Sequence, residues 1–361
     1  MNKIKNYNLR DSANIFLWSV LAPILSGLGL SLLVSYISNI FNYDITQTMF
    51  FTLLNVMLAQ IVFLVLFFVY NKVKDIDWTI ATKLINKIDF RKVGISIIIG
   101  FLTLIFFYPV IAVFEYILYE LGFSIENLQG SLGFDLTTIP GYLFAIFAIA
   151  FLPAVSEELL FRGVVFNGTL RSWGLLKAVV ISSLVFSIIH MSPFQLLYPI
   201  ILGVILAYAV YYSKSLYPAI IIHFTNNFIV ITMNFVSSNF LNMDTQAEEY
   251  VPQISVTQII TALLWFTAGV YIVKHFILML KSGKEEKKQN NGFYVPVYKM
   301  ADSNKDIIIN EAVIYNDKIE SINKDQSLER RNNQQDKKYM IKIFILGIVL
   351  WVLSTVAFLL L

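Results

Sequence analysis

Long apolar segments recur along the whole chain and restrict the folds that it can adopt. An α-helix needs about 20 apolar residues to cross the ~30 Å hydrocarbon core of a bilayer. Of the 361 residues, 57% are hydrophobic and 14% are charged, whereas a soluble domain has roughly 25% charged residues. The sequence therefore predicts an all-α fold, a polytopic transmembrane helix bundle. The predicted spans, about nine, are 14–37, 49–70, 94–118, 140–160, 175–190, 195–212, 216–235, 256–280 and 340–361.

The distribution of lysine and arginine predicts the orientation of these spans. If the N-terminus is cytoplasmic, all 27 basic residues fall in predicted inner segments or at the inner ends of spans. The predicted outer segments 38–48, 119–139, 191–194 and 236–255 contain none. Because cytoplasmic loops of membrane proteins are enriched in Lys and Arg, we expect a multi-pass protein of the cell membrane. Its N-terminus would lie inside, and Leu361 would lie outside.

Composition also excludes several classes of function. The net charge of +3 comes from 27 basic and 24 acidic residues, which is too balanced to indicate a nucleic-acid partner. The absence of cysteine excludes disulfides, thiol catalysis and Cys-ligated metals. The extended polar segment, 282–339, is predicted to be cytoplasmic. Its stretch 307–322 fits either a small hairpin or a flexible loop.

Ionisable side chains within the predicted spans concentrate in three of them. Such groups are costly in a bilayer, so they usually face the interior of the bundle and often mark function. They are Glu157, Glu158 and Arg162 at the end of the fourth span, His190 at the end of the fifth, and His223 in the seventh, where Asn227 follows one turn later.

Helical geometry predicts how the charged residues of the fourth span divide. Adjacent helical residues point about 100° apart, so Glu157 and Glu158 are not expected to face one target. Glu158 and Arg162 are four residues apart and can form an ion pair on one face. This pair has a structural interpretation, because it would orient the helix.

The turn predicted at 172–174 relates the fourth span to the fifth. Glu157 precedes Gly174 by 17 residues and His190 follows it by 16. On an antiparallel hairpin the two side chains would therefore lie at the same height. His223 and Asn227 share one face of the seventh span, so a carboxylate, two imidazoles and an amide could converge. The alternative is that each polar residue separately hydrogen-bonds a neighbouring helix.

These motifs resemble those of the CPBP family, the CAAX-protease and bacteriocin-processing group of intramembrane endopeptidases, also called Abi. The family pattern is Glu-Glu-x-x-x-Arg, then Phe-x-x-x-His, then His-x-x-x-Asn, each on its own transmembrane helix. The matching residues here are Glu157-Glu158…Arg162, Phe186…His190 and His223…Asn227. The resemblance covers about 140–235, whereas the 282–339 segment and the ninth span lie outside it.

The resemblance implies roles for these residues. Glu157 would activate a water with the help of His190, and His223 and Asn227 would hold the oxyanion. Glu158 and Arg162 would have a structural or substrate-orienting part.

Members of the family are often labelled metalloproteases. The mechanism favoured here needs no cofactor, but zinc stays open, with Glu157, His190 and His223 as three ligands. The substrate would be a peptide or a membrane protein, and membrane lipid would surround the enzyme. If the chain is bacterial, prenylated CAAX substrates are not expected.

The resemblance divides the chain into five parts. They are N-terminal transmembrane helices (1–139), a CPBP-like catalytic core (140–235), an eighth span (236–281), a polar cytoplasmic segment (282–339) and a C-terminal transmembrane helix (340–361).

Two other classes of function compete with an endopeptidase. One is a non-catalytic membrane scaffold or bacteriocin-immunity factor. The other is a small-solute transporter, against which the sequence shows no inverted repeat.

Overall fold

A computed structural model describes residues 6–43, 49–82, 84, 88–123, 136–240, 254–281, 334–353 and 355–356. All regular structure in these residues is helical, which confirms the predicted fold class. The helices are α1 (Leu9–Phe41), α2 (Met49–Lys74), α3 (Trp78–Thr82), α4 (Phe90–Glu120), α5 (Ile139–Ala145), π1 (Ile146–Phe151), α6 (Leu152–Glu158), π2 (Leu159–Phe166), α7 (Asn167–Ile188), α8 (Leu197–Ser213), α9 (Tyr217–Phe240), α10 (Val256–Met279) and α11 (334–353).

The lengths of the apolar helices make this a multi-pass membrane protein. Six helical stretches of the described residues are long and apolar enough to cross a membrane, and α8 is apolar but shorter. The count of nine spans stays a prediction. The six stretches are Leu9–Phe41, Met57–Lys74, Phe90–Glu120, Ile139–Ile188, Tyr217–Phe240 and Val256–Met279. The possible hairpin at 307–322 and the predicted outer end at Leu361 lie outside the described residues.

The stretch Ile139–Ile188 contains the predicted fourth and fifth spans. Its 50 residues would extend ~75 Å as one rod, far beyond a bilayer. Gly174 interrupts it with φ 77° and ψ 178°, a conformation that glycine adopts without steric cost. The rings of Phe161 and Phe186 lie 5.6 Å apart, so the chain folds back after Gly174. The turn predicted at 172–174 is therefore confirmed.

Contacts between helix ends agree with the predicted topology. Segments predicted to be cytoplasmic meet at one end of the bundle, and segments predicted to be outside meet at the other. At the first end the contacts are Tyr339 with Asn14, Tyr70 with Asp11, and Asp89 with Tyr217. At the second end they are Asn239 with Leu136 and Phe123 with Phe194.

Glycines allow two of the helices around the central hairpin to approach closely. A Cβ on Gly100 would lie 2.8 Å from the Cβ of Thr225, and one on Gly203 would lie 2.9 Å from the Cα of Ser183. Small residues at such contacts are typical of membrane bundles, where packing drives helix association. The first contact seats α4 against α9, and the second seats α8 against α7.

The centre of the bundle is π2, in which every residue is buried. Arg162 lies within it and is fully buried. A buried guanidinium needs a charge partner and hydrogen bonds, because desolvation of an ion is expensive. The polar residues singled out in the sequence therefore surround the middle of the fold.

Candidate active site

A buried ion pair connects α6 to π2. Nη1 of Arg162 donates to Oε1 of Glu158 at 2.7 Å, and both side chains are fully buried. Nη2 of Arg162 donates to the carbonyl of Gly203 at 3.3 Å. The guanidinium carbon also lies 4.3 Å from the centre of the Phe186 ring, within cation–π range. This is the i, i+4 ion pair expected from the spacing.

His223 of α9 lies between the two carboxylates of α6. Its Nδ1 is 3.2 Å from Oε1 of Glu158, and its Nε2 is 3.9 Å from Oε2 of Glu157. The expectation that Glu157 and Glu158 do not face one target is therefore wrong. An imidazole carries its two nitrogens on different edges, so one ring can meet two carboxylates that diverge from a helix. Since a carboxylate only accepts, Nδ1 carries the hydrogen.

Glu157 has a second polar neighbour in α2. Nε2 of Gln60 donates to Oε1 of Glu157 at 3.0 Å. The oxygen of the same amide accepts a hydrogen bond from the hydroxyl of Ser156. Glu157 is 5% exposed, so nearly all of its solvation comes from these protein groups. One of its oxygens is held by Gln60, and the other points toward His223.

His190 lies just beyond the C-terminal end of α7. Its Nδ1 is 2.9 Å from the carbonyl oxygen of Phe186, one turn earlier. A carbonyl accepts, so Nδ1 donates and Nε2 of the neutral ring is left as the proton acceptor. Glu157 and His223 are close enough for their charges to act on this imidazole.

Phe186 organises the site through its ring as well as through its carbonyl. Its ring centre lies 5.3 Å from that of His190 and 5.7 Å from that of His223, both edge to face. It also packs against the guanidinium of Arg162. The Phe-x-x-x-His spacing thus has a physical reason: one residue fixes the tautomer of His190 and supports three neighbouring cationic or aromatic groups.

Asn227 bonds to the backbone of π1 rather than to a side chain of the site. Its Nδ2 donates to the carbonyl of Ile149 at 3.1 Å. In a regular α-helix that carbonyl would accept from the residue at position 153, but Pro153 has no N–H. Asn227 therefore gives this carbonyl a donor from another helix, and among the described residues only one of its two amide hydrogens is used.

The matched family model is described as Type II CAAX prenyl endopeptidase Rce1-like. It covers residues 139–229, so the resemblance seen in the motifs is confirmed for this segment. No curated protein and no solved structure matches the chain. The model describes a family of proteases, and its match includes all six residues singled out in the sequence.

Sequence reasoning missed Gln60 and Ser156. Gln60 lies in α2, outside the segment that matches the Rce1-like model. The sequence did contain a sign of it, because a polar side chain in the middle of a predicted span is costly and often marks function. Ser156 directly precedes the Glu-Glu pair. The hydrogen bonds of Gln60 with Ser156 and Glu157 depend on how α2 packs against α6, which one chain segment alone does not reveal.

The zinc hypothesis can be compared with the arrangement of donors. Among the described residues, no three His, Asp or Glu side chains are close enough together to bind one metal ion as they stand. Zinc bonds are about 2.0–2.2 Å long, so its ligands surround one point. Nδ1 of His190 faces the Phe186 carbonyl and Nδ1 of His223 faces Glu158, and a zinc-bound imidazole usually donates its other nitrogen in this way. Zinc on Glu157, His190 and His223 therefore stays a prediction.

Proposed function

We propose that this chain is an intramembrane endopeptidase of the cell membrane. It hydrolyses a peptide bond near the cytoplasmic side with a water that Glu157 activates. The observation that carries the proposal is the position of Glu157, a buried carboxylate aimed at His223. The Rce1-like match supports the same class of reaction at the level of the family.

The gap between Glu157 and His223 supports a water-mediated step. At 3.9 Å, Oε2 and Nε2 are too far apart for a direct hydrogen bond, and a bridging water closes a gap of this size. Glu157 takes a proton from that water as its oxygen attacks the peptide carbonyl carbon. The same proton then passes to the leaving nitrogen as the C–N bond breaks.

His190 assists as an acceptor. With Nδ1 engaged by the Phe186 carbonyl, its Nε2 can accept a hydrogen bond from the attacking water. Two acceptors on one water fix its orientation, which raises the rate by placing its lone pair toward the carbonyl carbon.

The oxyanion is assigned to His223 and Asn227. His223 donates from Nε2 when both of its nitrogens are protonated, because Nδ1 is held by Glu158. Asn227 has one amide hydrogen left after its bond to Ile149. Donors of this kind are worth about 10²–10³ in rate each.

Glu158 and Arg162 keep the structural or substrate-orienting part. The pair holds the Nδ1 tautomer of His223 and neutralises one carboxylate. The second oxygen of Glu158 is buried and has no hydrogen-bond partner among the described residues. Buried acceptors are rarely left without a donor, and in so enclosed a place a buried water is the donor that fits.

The substrate class can be tested on purified protein in liposomes. The probes are a farnesylated CAAX peptide, the same peptide without the lipid, and a hydrophobic transmembrane peptide. Mass spectrometry of the products identifies the bond that is cut. We expect wild-type protein to cleave at least one probe, and Glu157→Gln to cleave none while keeping its helical content and elution volume.

Glu115→Gln provides a matched control. Glu115 is a half-buried carboxylate of α4, and its loss should leave cleavage unchanged. A Glu157→Gln protein that still cleaves at the wild-type rate would refute the proposal. Absence of cleavage in both proteins, together with an unchanged cellular phenotype of Glu157→Gln, would favour the non-catalytic scaffold.

A further inference from the structure

The inference concerns α2, which lies outside the segment that matches the protease family. Gln60 lies near the middle of this apolar helix, with its side chain in contact with Ser156 and Glu157 of α6. The polar groups of an amide in hydrocarbon must form hydrogen bonds with the protein. Here both ends of the amide are satisfied by two consecutive residues, one of which is the proposed base.

Chemistry fixes the direction of these two hydrogen bonds. A carboxylate only accepts, so the NH₂ end of Gln60 must face Glu157. The amide oxygen then faces Ser156, and the hydroxyl of this fully buried serine donates to it. If the amide were flipped, its oxygen would oppose the carboxylate and both bonds would be lost. Ser156 therefore holds Gln60 in the orientation that donates to Glu157.

The bond selects one oxygen of Glu157. Gln60 binds Oε1, while Oε2 is the oxygen that lies 3.9 Å from Nε2 of His223. A glutamate side chain without this anchor could rotate its carboxylate away from His223.

We propose that Gln60, held by Ser156, is a positioning residue that directs Oε2 of Glu157 toward the reacting water. Gln60 itself does not contact that water. The inference rests on the proposed function for its catalytic meaning, but the hydrogen bond that holds Glu157 can be observed without any substrate.

The surroundings of Glu157 determine what else can orient its carboxylate. His223 faces it from α9, and His190 acts on it from α7. Glu158 and Arg162 are its charged neighbours on its own helix. α2 contributes the neutral Gln60, so a change at position 60 to another neutral residue alters hydrogen bonding without changing the charge around Glu157.

The test is infrared spectroscopy of the full-length protein in liposomes at fixed pH. The carboxyl bands that disappear in Glu157→Gln report the hydrogen bonds of this side chain. In Gln60→Met these bands should move to the frequency of a carboxyl group with one hydrogen bond fewer. Ser156→Ala should move them in the same direction by less, because the amide keeps its position but loses its anchor.

Asn55→Leu is the matched control. It removes an amide from the same helix, and Asn55 has no hydrogen bond to the described residues of the site. Its Glu157 bands should equal those of the wild type. If Gln60→Met does not fold, Ser156→Ala is the deciding variant. Unchanged Glu157 bands in whichever variant is folded refute the inference.

Cleavage of the three probe peptides separates this inference from the proposed function. Shifted bands in a protein whose wild type cleaves no probe would support the positioning of Glu157 and count against its role as a protease base. In an active protease, unshifted bands would refute the positioning alone. If both hold, Gln60→Met lowers kcat about 10-fold and leaves KM unchanged, because the base is misdirected while substrate binding is intact.

Discussion

The buried pair of Glu158 and Arg162 gives the sharpest prediction about stability. Arg162→Met removes the guanidinium but keeps much of the side-chain volume. Glu158 would then be a fully buried carboxylate with only His223 as a partner, since the 2.7 Å contact with Nη1 is lost. Breaking one side of a buried ion pair costs about 3–5 kcal/mol. The Gly203 carbonyl and the Phe186 ring lose their contacts as well.

A double-mutant cycle isolates the ionic part of this loss. Glu158→Gln combined with Arg162→Met removes both charges, so no uncompensated ion stays in the core. We expect the double variant to recover most of the stability that Arg162→Met loses, because two single losses of about 3–5 kcal/mol each will not add when no unpaired charge is left. The assay is thermal unfolding in detergent, followed by circular dichroism and by the yield of monodisperse protein.

The expected change is large enough to measure. At about 2 °C per kcal/mol, Arg162→Met should lower the unfolding midpoint by about 6–10 °C. Lys74→Met is a suitable control, because Lys74 is 42% exposed and lies 3.7 Å from the buried Asp11. Asp11 keeps its hydrogen bonds from the Tyr70 hydroxyl and the Asn8 N–H, so we expect the loss of Lys74 to cost about 0–1 kcal/mol, as for an exposed ion pair. A midpoint for Arg162→Met within 2 °C of the wild type, or a double variant no more stable than the single one, would refute the reasoning.

Further variants and measurements test the rest of the site and the topology. Asn227→Ala should lower the unfolding midpoint, because the Ile149 carbonyl loses its donor at a cost of about 1–3 kcal/mol. It should also keep a residual cleavage rate, reduced about 10²–10³-fold; full loss of cleavage without loss of stability would contradict this. His190→Ala should abolish cleavage in a folded protein, and a near-wild-type rate would remove His190 from the mechanism. Chelator treatment should leave activity intact, and stoichiometric zinc whose removal stops cleavage would replace the metal-free mechanism. A single cysteine introduced after Leu361 should be labelled from outside the cell. Labelling only after permeabilisation would contradict the prediction of nine spans.

The central hairpin could be predicted because its signals are local. Gly174 follows Ser172 and Trp173 at the only break between two long apolar runs of that region, and the backbone there has a positive φ. Counting residues from that turn predicts equal heights for Glu157 and His190. The Glu158–Arg162 pair is equally local, since an i, i+4 spacing determines which side chains meet on a helix.

The partners that come from distant helices could not be predicted in the same way. Gln60 is 97 residues from Glu157, and one of many possible packings of α2 brings them together. The contact of His223 with Glu158 contradicts an inference drawn from helical angles alone. Such angles describe Cβ directions, whereas a three-torsion side chain and a ring with two nitrogens can span the difference.

The role of Asn227 shows how a backbone irregularity changes the meaning of a motif residue. The sequence pattern pairs it with His223 on one face of α9, and both do point toward the 139–166 helical stretch. Pro153 interrupts the hydrogen bonds of that stretch next to π1, so the carbonyl of Ile149 needs a donor from another helix. π-Helical turns of this kind occur often at functional sites. The same asparagine can stabilise the helix with one amide hydrogen and offer its second amide hydrogen to another acceptor.

The two adjacent glutamates have different surroundings, and this difference argues for different roles. Glu158 is neutralised by a guanidinium at 2.7 Å and also contacts His223. Glu157 has no such cation: its nearest groups are the neutral amide of Gln60 and an imidazole nitrogen at 3.9 Å. When neighbouring carboxyl groups differ in this way, the one without a fixed cation is the one whose proton can be exchanged during a reaction. In the proposed mechanism the Arg162 charge therefore acts indirectly, because it occupies Glu158 and leaves Glu157 as the proposed base.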